Sequence, residues 1–415
     1  MMKLVVRQMK NGCRLGQIVE LARHPEITLE TPLCLLYTKA GCVPYLTREM
    51  LDKVDDIPKA AHCPIVWGLE NLEAIEEYKM GVGKFTAMKD YILYNSVQDV
   101  AAKYMTGYND KHGTATWGKG GKVHVSADLF VRLQQAFQAD MCQCLCDSDT
   151  DATATKKRSH KAVDRTLDFL DKCLEKWDKS EVLQKCSLFG VIEGGFYLEE
   201  RLRSARETAK RPVAGFSIEG FHGGGPDAEN FSIPEVKDII SKVVEVLPED
   251  KPRLMHGVWR PDQVVKAVQL GIDIFDSSYP YLESEKGSAL VFNYILPKPN
   301  QVNDVNGQAQ NAQTEADTDQ SASDLPCTSP TFSINLNDKR YFDDLTPILP
   351  HCTCYTCKQF TKAYICHLLN TSELLAGVLL MMHNLHHYYG FFAALRDAIH
   401  TDRLQDLEEL ICGPR

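Results

Sequence analysis

Three cysteines near the C-terminus have a spacing that could bind a metal ion. Cys352, Cys354 and Cys357 form a C-x-C-x2-C pattern. A C-x2-C turn directs two thiolates at one tetrahedral centre, and the third thiolate lies two residues upstream, within reach of the same ion. Structural zinc sites have four sulfur or imidazole ligands, so this pattern requires one more ligand.

A histidine that follows the cysteines could supply the fourth ligand. The candidates are His367, His383, His386, His387 and His400. Apolar residues at helical spacing after Ser372 predict a helix that carries His383, but spacing alone does not select it. A single structural Cys3His zinc is the favoured interpretation, because four such ligands leave no open position for catalysis. An iron–sulfur cluster is the rival metal site, and a coincidental group of thiols is the alternative without metal.

A second group of thiols, Cys142, Cys144 and Cys146, has the spacing of one face of a strand, and we predict a buried strand there. The chain has 15 cysteines, an odd number, and its first residues predict no secretory signal. Free thiols in a reducing compartment, and hence a cytoplasmic location, are therefore expected.

Strands alternate with helices through the middle of the chain, which is typical of βα units around a parallel sheet. The predicted strands are 33–37, 186–192, 213–218, 253–258 and 272–276, and the predicted helices are 198–210, 234–246 and 261–270. An antiparallel β region precedes them, since two strand-like segments flank the turn dipeptide Asn11-Gly12. Two further segments, 332–336 and 339–342, have the residue pattern of strands.

Composition places the chain among ordinary globular proteins and divides it into segments. Of its 415 residues, 44% are hydrophobic and 25% are charged, and no apolar run reaches the 20 or so residues that cross a bilayer. Residues 300–327 are polar and lack aromatic side chains, which predicts a disordered insertion. It separates residues 1–299, the β region and most of a barrel, from a metal-binding subdomain with C-terminal helices at 328–415.

The formal net charge of −10 means that any binding to nucleic acid must use a local basic patch. A helix predicted over 155–179 has such a cluster in its first turns, namely Lys156, Lys157, Arg158, Lys161 and Arg165. A solvated helix face is the simpler interpretation, and contact with phosphates is the alternative.

Several of these segments together resemble the tRNA-guanine transglycosylase family, and within it the non-catalytic subunits of eukaryotes. The resemblance is carried by Cys352 to Asn384, by Lys251-Pro-Arg through Gly271-Ile-Asp-Ile-Phe-Asp276, and by Gly190-Val-Ile-Glu-Gly-Gly195. It covers most of the chain from about residue 30, apart from the insertion. It implies an α/β fold, a TIM (β/α)8 barrel with an inserted zinc-binding subdomain, and zinc ligands Cys352, Cys354, Cys357 and His383.

The resemblance also implies a reaction, in which guanine at wobble position 34 of tRNAs with GUN anticodons (Asp, Asn, His, Tyr) is replaced by queuine. In catalytic members an aspartate attacks ribose C1′ and a second aspartate transfers protons. Asp276 falls on the nucleophile position, but an acidic stretch, 279–287, follows it in place of a basic loop. Asn95 falls on the acid/base position, and an amide cannot transfer a proton at neutral pH. We therefore expect no catalytic residues in this chain.

Two further positions differ from catalytic members. Glu193 replaces the family's glutamine before Gly-Gly, and the base-binding region offers Leu145-Cys146-Asp147. The expected function is that of a non-catalytic subunit that pairs with a catalytic homologue and supports it or positions tRNA, with a homodimer as the other assembly. An independently active transglycosylase that uses Asp276 is one alternative, and a zinc-stabilised scaffold unrelated to RNA is another. Peripheral association with the mitochondrial outer membrane is a further expectation from the resemblance.

Overall fold

The chain begins with a three-stranded antiparallel sheet that closes one end of a barrel. A computed structural model describes residues 2–297 and 332–413, so the predicted insertion at 300–327 lies outside the described residues. Strands β1 (Lys3–Lys10), β2 (Cys13–Val19) and β3 (Leu29–Thr31) pair in that order. Asn11 and Gly12 both have positive φ, as a two-residue hairpin turn requires, which confirms the predicted hairpin. Leu4, Ile18 and Leu29 pack against the interior of the barrel.

A closed barrel of parallel strands forms the centre of the molecule. The next strands are, in chain order, β4 (Leu33–Tyr37), β5 (Ala60–Pro64), β6 (Ile92–Ser96), β7 (Gly113–Gly118), β8 (Gly121–Ser126), β9 (Met141–Gln143), β10 (Ser187–Ile192), β11 (Gly215–Ile218), β12 (Arg253–Leu254) and β13 (Ile274–Asp276). All but β7 and β8 close in chain order, with β13 paired to β4. This confirms the predicted TIM barrel. Strands β7 and β8 form a hairpin that follows β6.

Helices surround the barrel in the expected alternation. They are α1 (Arg48–Leu51), α2 (Leu72–Tyr78), α3 (Gly81–Phe85), α4 (Ala127–Phe137), α5 (Lys156–Trp177), α6 (Leu198–Ala209), α7 (Ile233–Val246), α8 (Pro261–Gln269), α9 (Ser278–Glu285), α10 (Tyr355–Gln359), α11 (Lys362–Asn370), α12 (Leu374–His400) and α13 (Leu404–Cys412). Helix α8 begins at a proline, whose fixed φ suits the first turn, and Gly271 after it has φ 82°. None of these helices is long and apolar enough to cross a membrane.

A small subdomain is inserted between α9 and α12. Strands β14 (Ser288–Leu290) and β15 (Ser333–Asn335) pair antiparallel, and they pack with α10, α11 and the start of α12 around a separate apolar cluster. Helix α12 then returns to the barrel and lies against α9 and β4. Strand β14 precedes the predicted insertion at 300–327 and β15 follows it, so this small sheet contains residues from both sides. The division of the chain into domains at that insertion stays a prediction.

Three local predictions differ from the structure. Residues 339–342 are not a strand, because Asp338 caps a short 3-10 helix at Lys339–Tyr341 by accepting a hydrogen bond from Arg340 N. The strand predicted over 253–258 ends at Leu254. Cys142, Cys144 and Cys146 are all buried, as predicted, but only Cys142 lies in a strand, since β9 ends at Gln143.

Candidate metal centre and barrel mouth

The structure brings the three cysteines of the C-x-C-x2-C pattern to one histidine. The Sγ atoms of Cys352, Cys354 and Cys357 lie 3.8, 3.6 and 3.3 Å from His383 Nδ1, and the four atoms lie within 4.8 Å of one another. Sulfur and nitrogen at the corners of a tetrahedron around zinc are separated by about 3.6 Å, given metal–ligand bonds of about 2.3 and 2.1 Å. The four residues can therefore hold a metal ion.

Local hydrogen bonds position the thiols. Cys354 is the N-cap of α10, and its Sγ accepts a hydrogen bond from Cys357 N at 3.3 Å. The helical turn that follows brings Cys357 back to the same side. Thr356, between them, donates a hydrogen bond to Leu379 O of α12 at 2.7 Å, which ties the cysteine turn to the helix that carries the histidine.

The ring of His383 has the orientation that a metal ligand needs. His383 Nε2 lies 2.8 Å from Leu290 O, so this nitrogen donates its proton to the carbonyl and leaves the Nδ1 lone pair directed at the thiols. The adjacent Asn384 accepts a hydrogen bond from Leu290 N at 2.8 Å and donates to Ser284 and Ser288. Strand β14 is therefore held by two successive residues of α12. Of the candidate histidines, the structure places only His383 in the cluster among the described residues.

Helix α12 is a core helix over most of its length. Sixteen of its 27 residues are buried, and they include all four aromatic residues from Tyr388 to Phe392. Exposed apolar side chains occur instead at its N-terminal end, where Leu374 is 80% exposed. Any interface on this helix would therefore lie at the subdomain end.

Asp276 ends β13 inside the closed mouth of the barrel. The residue is fully buried, Oδ1 accepts a hydrogen bond from Ser278 N at 3.0 Å, and Oδ2 accepts one from Gly257 N at 3.3 Å. His256 Nδ1 lies 3.5 Å from Oδ2. Burial raises the pKa of Asp276, but its contacts with His256 and Ser278 outweigh burial and hold that pKa below its usual range. The carboxylate thus joins the ends of β12 and β13 to the start of α9.

Two histidines stacked beside Asp276 were not predicted from the sequence. The rings of His62 and His256 are 4.6 Å apart, and both side chains are buried. Burial, followed by the charge of His256, lowers the pKa of His62 to about 3. Burial also lowers the pKa of His256, but contact with Asp276 and the charge of Glu219 raise it above its usual value. The only signal in the sequence was their position next to the carboxyl ends of barrel strands.

Acidification is expected to destabilise the chain through His62. The folded state keeps this ring neutral down to about pH 3, whereas the unfolded chain protonates it near pH 6.5, so stability falls as pH falls through this window. The raised pKa of His256 acts in the opposite sense and stabilises the fold at the acidic end. In urea unfolding at pH 4–6.5, His62→Gln should make the pH dependence shallower by about 1.4 kcal/mol per pH unit. The exposed His112→Gln is the control, and equal slopes for both variants would contradict the assignment.

Asn95 lies on the outer side of the barrel wall. It is fully buried, and its Nδ2 donates a hydrogen bond to Gln134 of α4 at 3.1 Å. The next residue, Ser96, faces the mouth, where its hydroxyl lies 2.7 Å from His62 Nε2. The nearest carboxyl group further along this segment is Asp99, which accepts a hydrogen bond from Tyr37 Oη at 2.8 Å. Burial raises the pKa of Asp99. Asp99 was not among the residues predicted from the sequence.

Asp147 is a fully buried anchor for two of the cations on α5. Arg158 donates to Asp147 at 2.5 and 3.0 Å, and Arg165 donates at 2.8 Å. Asn109 Nδ2 donates a further hydrogen bond at 3.0 Å. Lys156 pairs with Glu199, so three of the five cations of the predicted basic cluster are used within the chain. This favours the interpretation of α5 without phosphate contacts. Both oxygens of Asp147 accept hydrogen bonds from these partners.

Glu193 directly follows β10 in a position without access to solvent. Thr150 Oγ1 donates a hydrogen bond to Glu193 Oε2 at 3.2 Å, and burial raises the pKa of this carboxyl well above its usual range. Arg201 donates to the carbonyls of Ile192 and Gly195, both at 2.7 Å, and burial lowers its pKa to about 10. A Cβ on Gly220 would lie 2.2 Å from Glu193 Oε2, so the glutamate fills the space beside that glycine.

The chain is similar to known proteins over almost its full length. The profile of the family described as queuine tRNA-ribosyltransferase matches residues 10–413. The chain is similar to proteins named queuine tRNA-ribosyltransferase accessory subunit 2 from Xenopus tropicalis and Homo sapiens, each 43% identical over 416 residues that cover 99% of both chains. The protein of that name from Ixodes scapularis is 40% identical over 385 residues, 92% of this chain and 93% of the relative. The sequence resemblance is thus confirmed, and the chain belongs to the queuine tRNA-ribosyltransferase family, the tRNA-guanine transglycosylases.

Proposed function

We propose that this chain is the non-catalytic subunit of a heterodimeric queuine tRNA-ribosyltransferase. The observation that carries the proposal is the condition of Asp276 at the nucleophile position. A carboxylate that attacks ribose must reach its substrate, whereas Asp276 is fully buried and accepts hydrogen bonds at both oxygens. Asn95, at the acid/base position, faces α4. Both features favour an accessory role over a catalytic one.

The names of the relatives support the same proposal. The relatives are named accessory subunits, and they match this chain over almost the full length of both proteins. An accessory subunit requires a catalytic partner. The complex would exchange guanine for queuine at wobble position 34 of tRNAs with GUN anticodons. This chain would stabilise the catalytic subunit or position the tRNA. We propose the cytoplasm as its location, with peripheral attachment to the mitochondrial outer membrane as an additional expectation from the family resemblance.

The metal of the Cys3His centre would be one structural zinc per chain. Three thiolates and one imidazole are a donor set that zinc favours, and the Nε2 hydrogen bond of His383 fixes the ring for Nδ1 ligation. With all four positions filled by protein, the ion would hold the cysteine turn against α12. It would supply no reactive group.

Exposed apolar side chains on the zinc-binding subdomain support assembly with a homologous partner. Leu374 is 80% exposed, Leu345 77% and Phe342 59%. All three belong to the inserted subdomain, and large exposed apolar side chains of this kind can mark an interaction surface. We propose that the catalytic subunit covers this surface, and that a homodimer forms through it when that subunit is absent.

The test measures release of labelled guanine from a tRNA with a GUN anticodon. The zinc-loaded chain is assayed alone, the catalytic homologue is assayed alone, and the two are assayed together. We expect no exchange by this chain alone and more exchange by the mixture than by the catalytic homologue alone. Exchange by this chain alone would favour the alternative, an independently active transglycosylase. A mixture no more active than the catalytic homologue would refute the accessory role.

Replacing Asp276 tests the catalytic alternative directly. Asp276→Asn keeps the size and the acceptor oxygen of the side chain but removes the nucleophilic charge. We expect turnover by the assembled complex to change by no more than about twofold, whereas loss of a working nucleophile costs roughly 1,000-fold or more. Assembly is checked by size-exclusion chromatography, so that reduced turnover with an intact complex would count against the proposal.

A further inference from the structure

The hairpin β7–β8 presents lysines and aromatic rings at the rim of the barrel. We refer to Tyr108, Lys111, Trp117, Lys119 and Lys122 as the hairpin patch. Residues 103–124 contain four lysines and one aspartate, although the whole chain has a net charge of −10. The segment is therefore basic on an acidic protein, as any contact of this chain with nucleic acid requires. One carboxylate from outside the segment, that of Glu70, accepts a hydrogen bond from Gly120 N at the hairpin turn.

The lysines of the hairpin patch are exposed and keep their charge available. Within residues 2–297 and 332–413, none of Lys111, Lys119 and Lys122 has a carboxylate at ion-pair distance. In contrast, the cations at the start of α5 pair with Asp147 and Glu199. Asp110, the one acidic residue of the segment, accepts hydrogen bonds from His112 N and Gly113 N and contacts His124. Asp110 thus stabilises the turn and does not pair with the lysines of the patch.

Aromatic rings stand among these charges. Tyr108 is 47% exposed, its ring lies 5.1 Å from that of Trp117 at a steep angle, and Lys122 Nζ lies 5.0 Å from the centre of the tyrosine ring. Trp117 and Lys122 are directly opposite each other in the hairpin, so both side chains lie on one face. An exposed ring beside an ammonium group can stack a base while that cation and other lysines of the hairpin bind phosphates of the same strand.

The base of the hairpin is held firmly, which prepares the patch for binding. Asn109 Oδ1 accepts a hydrogen bond from Ala115 N at 2.9 Å, and its Nδ2 donates to the buried Asp147. Arg165 donates to Asn109 O at 3.0 Å. Tyr108, the neighbour of this anchored residue, is therefore presented on a fixed backbone, which reduces the entropy lost on binding.

We infer that the hairpin patch binds an unpaired stretch of RNA, by stacking a base on Tyr108 and contacting phosphates through Lys111, Lys119 and Lys122. The inference rests on the proposed function, which brings tRNA to the complex, and it assigns part of that RNA to this chain. The patch lies on the segment after β6, at the same end of the barrel as Asp276, so RNA held there would be near the mouth of this subunit.

The test compares variants of the full chain, alone and assembled with the catalytic homologue, for affinity to fluorescently labelled tRNA. The triple variant Lys111→Ala, Lys119→Ala, Lys122→Ala should bind about tenfold more weakly at 0.15 M salt. Its plot of log affinity against log salt should be shallower by about 2, since each phosphate contact with a single strand contributes about 0.7. The triple change to arginine should restore both values. Tyr108→Ala should weaken binding about tenfold, and Tyr108→Phe should not.

A matched control removes three exposed lysines in or next to the barrel helices, namely Lys210→Ala, which directly follows α6, and Lys237→Ala and Lys242→Ala of α7. This variant has the same net charge as the patch variant and should bind tRNA like the unmodified chain. Equal losses in both triple variants would overturn the inference, because they would indicate long-range attraction only. Unchanged tRNA affinity with lost flotation on phosphatidylserine vesicles would also overturn it and would assign the patch to a membrane. Stimulation of the catalytic homologue, measured on the same samples, tests the proposed function separately.

Discussion

Replacing Cys354 with serine is expected to abolish metal binding and to unfold the inserted subdomain. Serine keeps the N-cap of α10, because its hydroxyl can accept the hydrogen bond from Cys357 N, so the variant removes little besides the thiolate ligand. Structural zinc contributes about 10–16 kcal/mol in zinc-finger peptides, and a loss of order 5 kcal/mol or more is expected here. Metal content by mass spectrometry of the native protein should fall from one ion per chain to nearly none, and the melting temperature should fall with it.

Cys366→Ser is the control within the same subdomain. Cys366 is also fully buried, but it accepts a hydrogen bond from Asn370 Nδ2 and lies outside the cluster. Burial of an additional hydroxyl should cost about 1–2 kcal/mol and leave the metal in place. The Cys3His assignment is wrong if Cys354→Ser retains both its metal and its melting temperature. His383→Ala should lose the metal as Cys354→Ser does.

Neutralising Asp147 is expected to lower the free energy of unfolding substantially, although less than loss of the metal does. Asp147→Asn leaves Arg165 without its counter-charge and leaves Arg158 with only Asp149, at 3.6 Å. The amide also cannot accept all the hydrogen bonds that the carboxylate now accepts. Breaking a buried ion pair from one side costs about 3–5 kcal/mol, and a value near 3 is expected because both arginines are about a quarter exposed. Urea unfolding at neutral pH measures the change.

The same variant separates a structural role from binding of a base. The family resemblance aligns this region with the base-binding aspartate of catalytic members, and a residue in that role would alter turnover more than stability. We expect the reverse, with turnover by the complex at 20 °C unchanged while the free energy of unfolding falls. Asp164→Asn, on helix α5, removes a carboxylate that pairs with Arg203 at the surface and should cost less than about 1 kcal/mol. Equal stability losses for the two variants would contradict the anchor role of Asp147.

Much of the fold could be predicted because its signals are local in the sequence. The hairpin at Asn11-Gly12, the continuous apolar strand 33–37 and the helix that begins at Pro261 and is followed by Gly271 were all confirmed. In each case a turn dipeptide, a proline or the period of apolar residues specifies the backbone directly. The strand expected at 339–342 was wrong for the same kind of reason, since a capping contact by Asp338 outweighed a short apolar pattern.

The residues of the candidate site also differ in how far a local pattern in the sequence could predict them. The sequence by itself determined the three cysteines, because C-x-C-x2-C encodes its geometry within six residues, and a family motif was needed to name His383. Only the tertiary structure decided that Asp276 is enclosed by Gly257, His256 and Ser278, and that Asn95 faces α4. Likewise, only the structure showed that Asp147 pairs with two cations of α5, whereas no carboxylate among the described residues pairs with the lysines of the hairpin patch. Burial and charge pairing depend on which side chains meet across distant strands, and a linear sequence does not contain those distances.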